Sequence, residues 1–189
     1  MKIRMFSKIL TVLREKRSLL FEYGFYLFVV VFILYLAPNF LMEKIVVDGT
    51  SMQDSLQNGE QVLIEKVSRY FDGPDRFDII VFTKKTAKAE KVYIKRIIGM
   101  PGDKVQIVGN NIFINDQILP ENYGKNAMLT EGIAAEPLVL GEDEYFVLGD
   151  HRSVSVDSRS ENVGVVKKNE IDGVVVLRIY PFAKFGKVD

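Results

Sequence analysis

With 189 residues, the chain has room for one modest domain and an accessory segment, since single domains commonly run to about 100–200 residues. Its 25 basic and 25 acidic side chains cancel, which leaves no global field to attract nucleic acid, so none is expected as a partner. The absence of cysteine and the presence of a single histidine, His151, exclude disulfides, thiolate metal sites and a multi-histidine zinc centre; neither a metal nor a cofactor is expected.

Residues 1–22 are a basic segment, with Lys2, Arg4, Lys8, Arg14, Lys16 and Arg17 set against Glu15 and Glu22. Phe6, Ile9, Leu10 and Leu13 recur at helical spacing, which fits a basic amphipathic helix on anionic lipid or an ordinary solvated helix. Residues 23–42, YGFYLFVVVFILYLAPNFLM, carry no charge. At 1.5 Å per residue such a helix spans roughly the 30 Å hydrocarbon layer, so the segment is read as a transmembrane signal anchor. A cleaved leader has a shorter apolar core, and a buried core helix needs a larger protein around it. Positive charge before a first span keeps that side cytoplasmic. The protein is therefore expected in the cell membrane as a single-pass chain, with residues 43–189 outside the cytoplasm.

Beyond the anchor the pattern changes to short apolar runs divided by turn residues: EKIVV, QVLIEK, FDIIVF, KVYIKRIIG, DKVQIV, NIFIND, EYFVLGD and DGVVVLRIY. Period-two alternation at Val105 and Ile107 and at Ile112 and Ile114 predicts strands, with Gly109-Asn110-Asn111, Asn115-Asp116 and Pro101-Gly102 as turns. The fold class is mainly β. Residues 123–136 show little periodicity and are read as a long exposed insertion, around 120–140, in the β framework.

Three stretches carry candidate chemistry. VVDGTSMQDSL, residues 46–56, places Ser51 in a turn, but a serine hydroxyl attacks nothing without a base beside it. YIKRIIGMPGD, residues 93–103, sets Lys95 beside Arg96, and strand alternation cannot leave both on one face, so one of them turns away from solvent or is paired. Alternation groups Lys95 with Ile97. A lysine facing an apolar pocket loses proton affinity and becomes a base, whereas one on a strand edge stays a solvated charge. At an unperturbed pKa of about 10.4 only about four amines in ten thousand are neutral at pH 7. The third stretch, GDHRSVSVDSR, residues 149–159, is either a salt-bridged surface loop or a segment fed toward the interior by the strand before it.

Together, in this order and spacing and behind an anchor, the three stretches resemble type I signal peptidases, the membrane-bound serine/lysine endopeptidases that remove leader peptides from secreted preproteins. The short single-anchor layout is similar to Gram-positive members. In that family a serine-methionine turn supplies the nucleophile, a Y-x-K-R-x-x-G-x-P-G-D strand the base, and a G-D-N-R-x-x-S-x-D-S-R segment their support. The resemblance implies an all-β catalytic domain in which Ser51 attacks the scissile carbonyl and Lys95 takes its proton. It also implies that Ser155 orients the lysine amine, and that Asp157 and Arg159 form a structural ion pair. Substrates would be preprotein signal peptides with small side chains at −1 and −3, lying against pockets for which Met52, Ile79 and Val81 are candidates. The lipid bilayer and a nearby secretion translocon complete the implied surroundings.

The chain departs from the family pattern at three places. Gly49 stands where some members place a second oxyanion donor, Asp54 replaces a proline, and His151 replaces an asparagine. Asp54 is expected to face solvent or cap the turn, and a Ser51/His151 pair is a competing reading. So is a self-cleaving repressor, which should carry a helix-turn-helix domain at the end where this chain has its anchor. A catalytically silent, membrane-tethered leader-peptide-binding homologue is the alternative from a different class.

Overall fold

The computed structural model describes residues 19–36, 41–71, 73–85 and 90–188. The basic segment up to residue 18, with its amphipathic spacing, lies outside them. The chain divides after Leu41. In the first unit residues 19–31 are helical and continue as a π-turn over Phe32–Leu36. Its apolar side chains, Leu20, Phe21 and Leu34 among them, are exposed. Among the described residues no helix is long and apolar enough to cross a membrane.

The second unit begins at Met42, one residue inside the expected anchor. Met42 opens strand β1 (Met42–Val46) and pairs with Glu65 of β2 (Gln61–Glu65), so ladder hydrogen bonds hold its backbone extended. The remaining strands are β3 (Ile79–Lys85), β4 (Glu90–Gly99), β5 (Lys104–Val108), β6 (Asn111–Ile114), β7 (Gln117–Ile118), β8 (Leu138–Val139), β9 (Glu144–Leu148), β10 (Val166–Lys167) and β11 (Ile171–Tyr180). They form a seven-stranded sheet in the order β1-β2-β11-β3-β4-β9-β10 and a four-stranded sheet in the order β7-β6-β5-β8. The named pairings are antiparallel, and all eight apolar runs of the sequence fall on or beside strands.

Side-chain alternation explains why FDIIVF reads as continuous rather than alternating hydrophobicity. In β3, Ile80 and Phe82 enter one core with Ile97, Tyr145 and Val147, while Ile79 and Val81 enter another with Met52, Leu56, Val62 and Ile64. The strand is covered on both faces. β4 and β9 divide similarly, sending Ile98, Phe146 and Leu148 into a third core shared with the small sheet.

Residues 123–136 are largely exposed and carry no strand, and they are fastened to the β framework at single points. Ala134 is buried in that third core, Met128 and Ile133 pack against it, and β8, just after, pairs with β5. Arg152 holds Glu121 at 2.9 Å, which ties the start of this stretch to the loop after β9. The stretch lacks periodicity because single side chains and turns anchor it instead of a ladder.

Candidate active site

The segment around Ser51 is a turn fastened from below. Gly49 takes φ +101°, a conformation L side chains rarely adopt, and donates its N–H to Asn58 Oδ1 at 2.8 Å. Backbone bonds from Gln53 N–H to Thr50 and from Ser55 and Leu56 N–H to Met52 close the turn. Met52 and Leu56 plug it into the core under β2 and β3. From above, His151 N–H donates to Ser51 C=O at 3.0 Å. Among the described residues the Ser51 N–H is given no carbonyl partner in the turn.

Lys95 arrives from β4, directly across from Ile80. It is 3% exposed and Arg96 2%, so both lysine and arginine are buried, on opposite faces. Each face solves the charge problem differently. Arg96 is paired with Asp150 through two bonds, Nε to Oδ1 at 3.0 Å and Nη2 to Oδ2 at 2.8 Å, and donates also to Ser55 Oγ and Phe77 C=O. Ser55 Oγ in turn donates to Asp150 Oδ2 at 2.6 Å, which ties the turn of Ser51 to β4 and to the loop after β9. Among the described residues Lys95 has no such carboxylate in contact. Its Nζ lies 2.6 Å from Ser51 Oγ and donates to Ile94 C=O at 3.0 Å. Burial therefore dominates and lowers its pKa from 10.5 to about 8, with the Lys91 charge adding to the drop and Asp157 and Asp150 opposing it.

At about 8, roughly a tenth of the lysine is neutral at pH 7. A neutral amine 2.6 Å from a hydroxyl accepts its proton as the oxygen attacks. The pair opens onto a cleft of about 510 Å³ bounded by residues 45–52 on one side, Glu90–Lys95 on the other, and Val154 and Val156. β1 is an edge strand, and β4 pairs with β9 only from Arg96 onward, so on that side the stretch Glu90–Lys95 presents a second free edge. Two free edges facing a cleft suit an extended peptide that adds itself as a strand.

The expected substrate residues separate here. Met52 lines the cleft, whereas Ile79 and Val81, 3% and 1% exposed, do not; they lie beneath it in the core with Met52. Period-two alternation on a strand covered on both faces sent them inward. Ser155 Oγ is buried without a hydrogen-bond partner and makes no bond to Lys95, whose contacts are Ser51 and Ile94. Asp157 and Arg159 form a buried ion pair, Nε to Oδ1 at 2.8 Å, and Asp157 Oδ2 also accepts the Gly149 N–H at 3.0 Å. Their role is to hold the loop over Ser51. Asp54 is exposed and accepts from Asn126 Nδ2 at 3.3 Å, away from the lysine amine. His151 reaches Ser51 through its backbone, and its Nδ1 is buried without a partner. The Arg96–Asp150–Ser55 network escaped the sequence reading, whose only signal was that one of two adjacent strand cations had to be paired.

Residues 20–180 match the family described as signal peptidase, peptidase S26. Signal peptidase I P of Bacillus subtilis subsp. natto is 33% identical over 180 residues, covering 92% of this chain and 95% of its own. Signal peptidase I T of Bacillus subtilis strain 168 is 31% identical over 176 residues, covering 89% and 90%. A solved signal peptidase I from Enterococcus faecalis is 36% identical and covers 53% of this chain and 95% of that one, at a TM-score of 0.43, too loose a superposition to carry an argument. The chain belongs to the peptidase S26 signal peptidase family and is a hydrolase of the serine endopeptidase kind.

Proposed function

We propose that the protein is a membrane-tethered endopeptidase that removes N-terminal signal peptides from preproteins by a Ser51/Lys95 dyad. The observation that carries this reading is the 2.6 Å approach of Lys95 Nζ to Ser51 Oγ by a lysine held near pKa 8 by burial. In the proposed reaction the peptide lies extended between the free edges of β1 and β4. Neutral Lys95 takes the Ser51 proton as Oγ adds to the scissile carbonyl, and the Ser51 N–H donates to the oxyanion. The lysine ammonium then protonates the leaving amine. Lys95, neutral again, activates the water that hydrolyses the Ser51 ester. Ser155 contributes by filling the floor beside the loop, and Asp157 and Arg159 by fixing that loop.

The tether is the uncharged run at 23–41, whose described part is helical with exposed apolar side chains. Basic residues before it favour a cytoplasmic N-terminus, an extracytoplasmic β unit and work beside the lipid bilayer and the secretion translocon. Against a silent leader-binding homologue stands the cost to stability of burying Lys95 with no carboxylate in contact among the described residues. The test is cleavage of a leader peptide with an A-x-A site by the full chain. Ser51→Ala and Lys95→Ala should each abolish turnover while His151→Ala retains it; an inactive His151→Ala beside an active Lys95→Ala would overturn the dyad.

A further inference from the structure

Lys91, Tyr93 and Lys95 stand at alternate positions of β4, share one face and all line the cleft. The Tyr93 ring is stacked on Phe82 of β3, 5.4 Å between centroids, and so is held in place. Two ammonium groups approach that one ring: Lys91 Nζ at 5.1 Å from its centroid and Lys95 Nζ at 5.8 Å. Two nearby carboxylates, Glu170 and Glu90, are engaged elsewhere. Lys84, directly across from Lys91, is held by Glu170 at 2.6 Å, and Glu90 pairs with Lys85 at 3.4 Å. Lys91 thus rests over the aromatic face and keeps its charge near the base.

We propose that Lys91 is a positioning residue for the reaction: its ammonium group, steered by Tyr93 to the mouth of the cleft, repels a proton from Lys95 and so raises the fraction of base ready to act. The inference rests on the dyad reading above. The charged groups around Lys95 are Lys91 on its own strand, Asp150 and Asp157 from the segment after β9, and Glu90 and Asp48 on the cleft wall; His151 and Tyr93 are the titratable groups beside them. Of the charges acting on Lys95, the two aspartates favour its protonated form and Lys91 opposes it.

Removing a like charge favours the protonated lysine, so the acid limb of the pH profile must move upward. Lys91 is exposed, so the effect is screened by salt. With the full chain and an A-x-A leader peptide, Lys91→Gln should shift the acid limb of kcat/KM upward by about 0.3–0.5 pH unit at low salt. That corresponds to an about two- to threefold loss below the limb and no loss above it. Lys91→Arg should keep the wild-type profile, and in about 0.5 M salt the wild-type and Lys91→Gln limbs should converge. An unmoved limb in Lys91→Gln, a shift that salt leaves intact, or an equal shift in Lys91→Arg overturns the proposal. Activity surviving in Lys95→Ala overturns instead the dyad on which it rests, so the two failures are told apart.

Discussion

A buried lysine whose ammonium form is poorly solvated is a cost to folding, and Lys95→Met should expose that cost. Its folded-state pKa of about 8 lies below the 10.5 of an unperturbed side chain, a difference equivalent to about 3 kcal/mol. The sign follows from proton counting: between about pH 8 and 10.5 the unfolded chain binds the proton that the folded one has released, so wild-type stability rises with pH through that window. Below it the penalty is nearly complete. Methionine removes the penalty at every pH but forfeits the contacts to Ser51 Oγ and Ile94 C=O, worth about 1–2 kcal/mol. Lys95→Met should therefore be more stable than wild type by about 1–2 kcal/mol at pH 7, and that advantage should shrink by about 2 kcal/mol by pH 9.5. Urea unfolding of the detergent-solubilised chain, followed by tyrosine fluorescence since tryptophan is absent, measures both. A methionine variant less stable than wild type at pH 7, or one whose difference is the same at both pH values, would refute the claim that burial lowers the pKa of this amine.

Arg96→Met should cost about 3–5 kcal/mol, because it leaves Asp150 buried without its cation, and the double variant with Asp150→Leu should recover much of the loss in the same unfolding assay. Gly149→Ala should lower kcat/KM at least tenfold with a smaller effect on stability. Its Cβ would overlap Ser155 Oγ and sit 2.6 Å from the Ser51 carbonyl oxygen, displacing the loop that holds Ser51; unchanged kinetics would show that the loop does not position Ser51. Asp54→Pro should leave activity within about twofold and thermal stability level or raised, since the Asp54 N–H donates none of the turn's bonds and proline stiffens the unfolded chain. A fall of several degrees in Tm would mean that the turn needs a backbone shape proline lacks.

The strands were legible because each has a local cause: period-two alternation, or a continuous apolar run where a strand is covered twice, ended by Gly, Pro, Asn or Asp. The resemblance singled out Ser51, Lys95, Asp157 and Arg159, and the fold brings Lys95 Nζ against Ser51 Oγ and pairs Arg159 with Asp157. Residues 123–136 are anchored by distant partners that periodicity does not reveal, and periodicity likewise tells which residues share a face but not what covers it. Ile79 and Val81 lie in the core beneath the cleft for that reason.

The sequence alone determined that the protein is mainly β beyond an apolar run, that it lacks thiol and multi-histidine metal chemistry, and that one of two adjacent cations had to turn away from solvent or be paired. Only the tertiary structure decided which cation received a carboxylate and which a hydroxyl. Arg96 and Lys95 are chemically alike in the sequence, and desolvation and pairing are properties of the space around them. That space is assembled from segments 44 and 54 residues away along the chain, the separations of Lys95 from Ser51 and of Arg96 from Asp150.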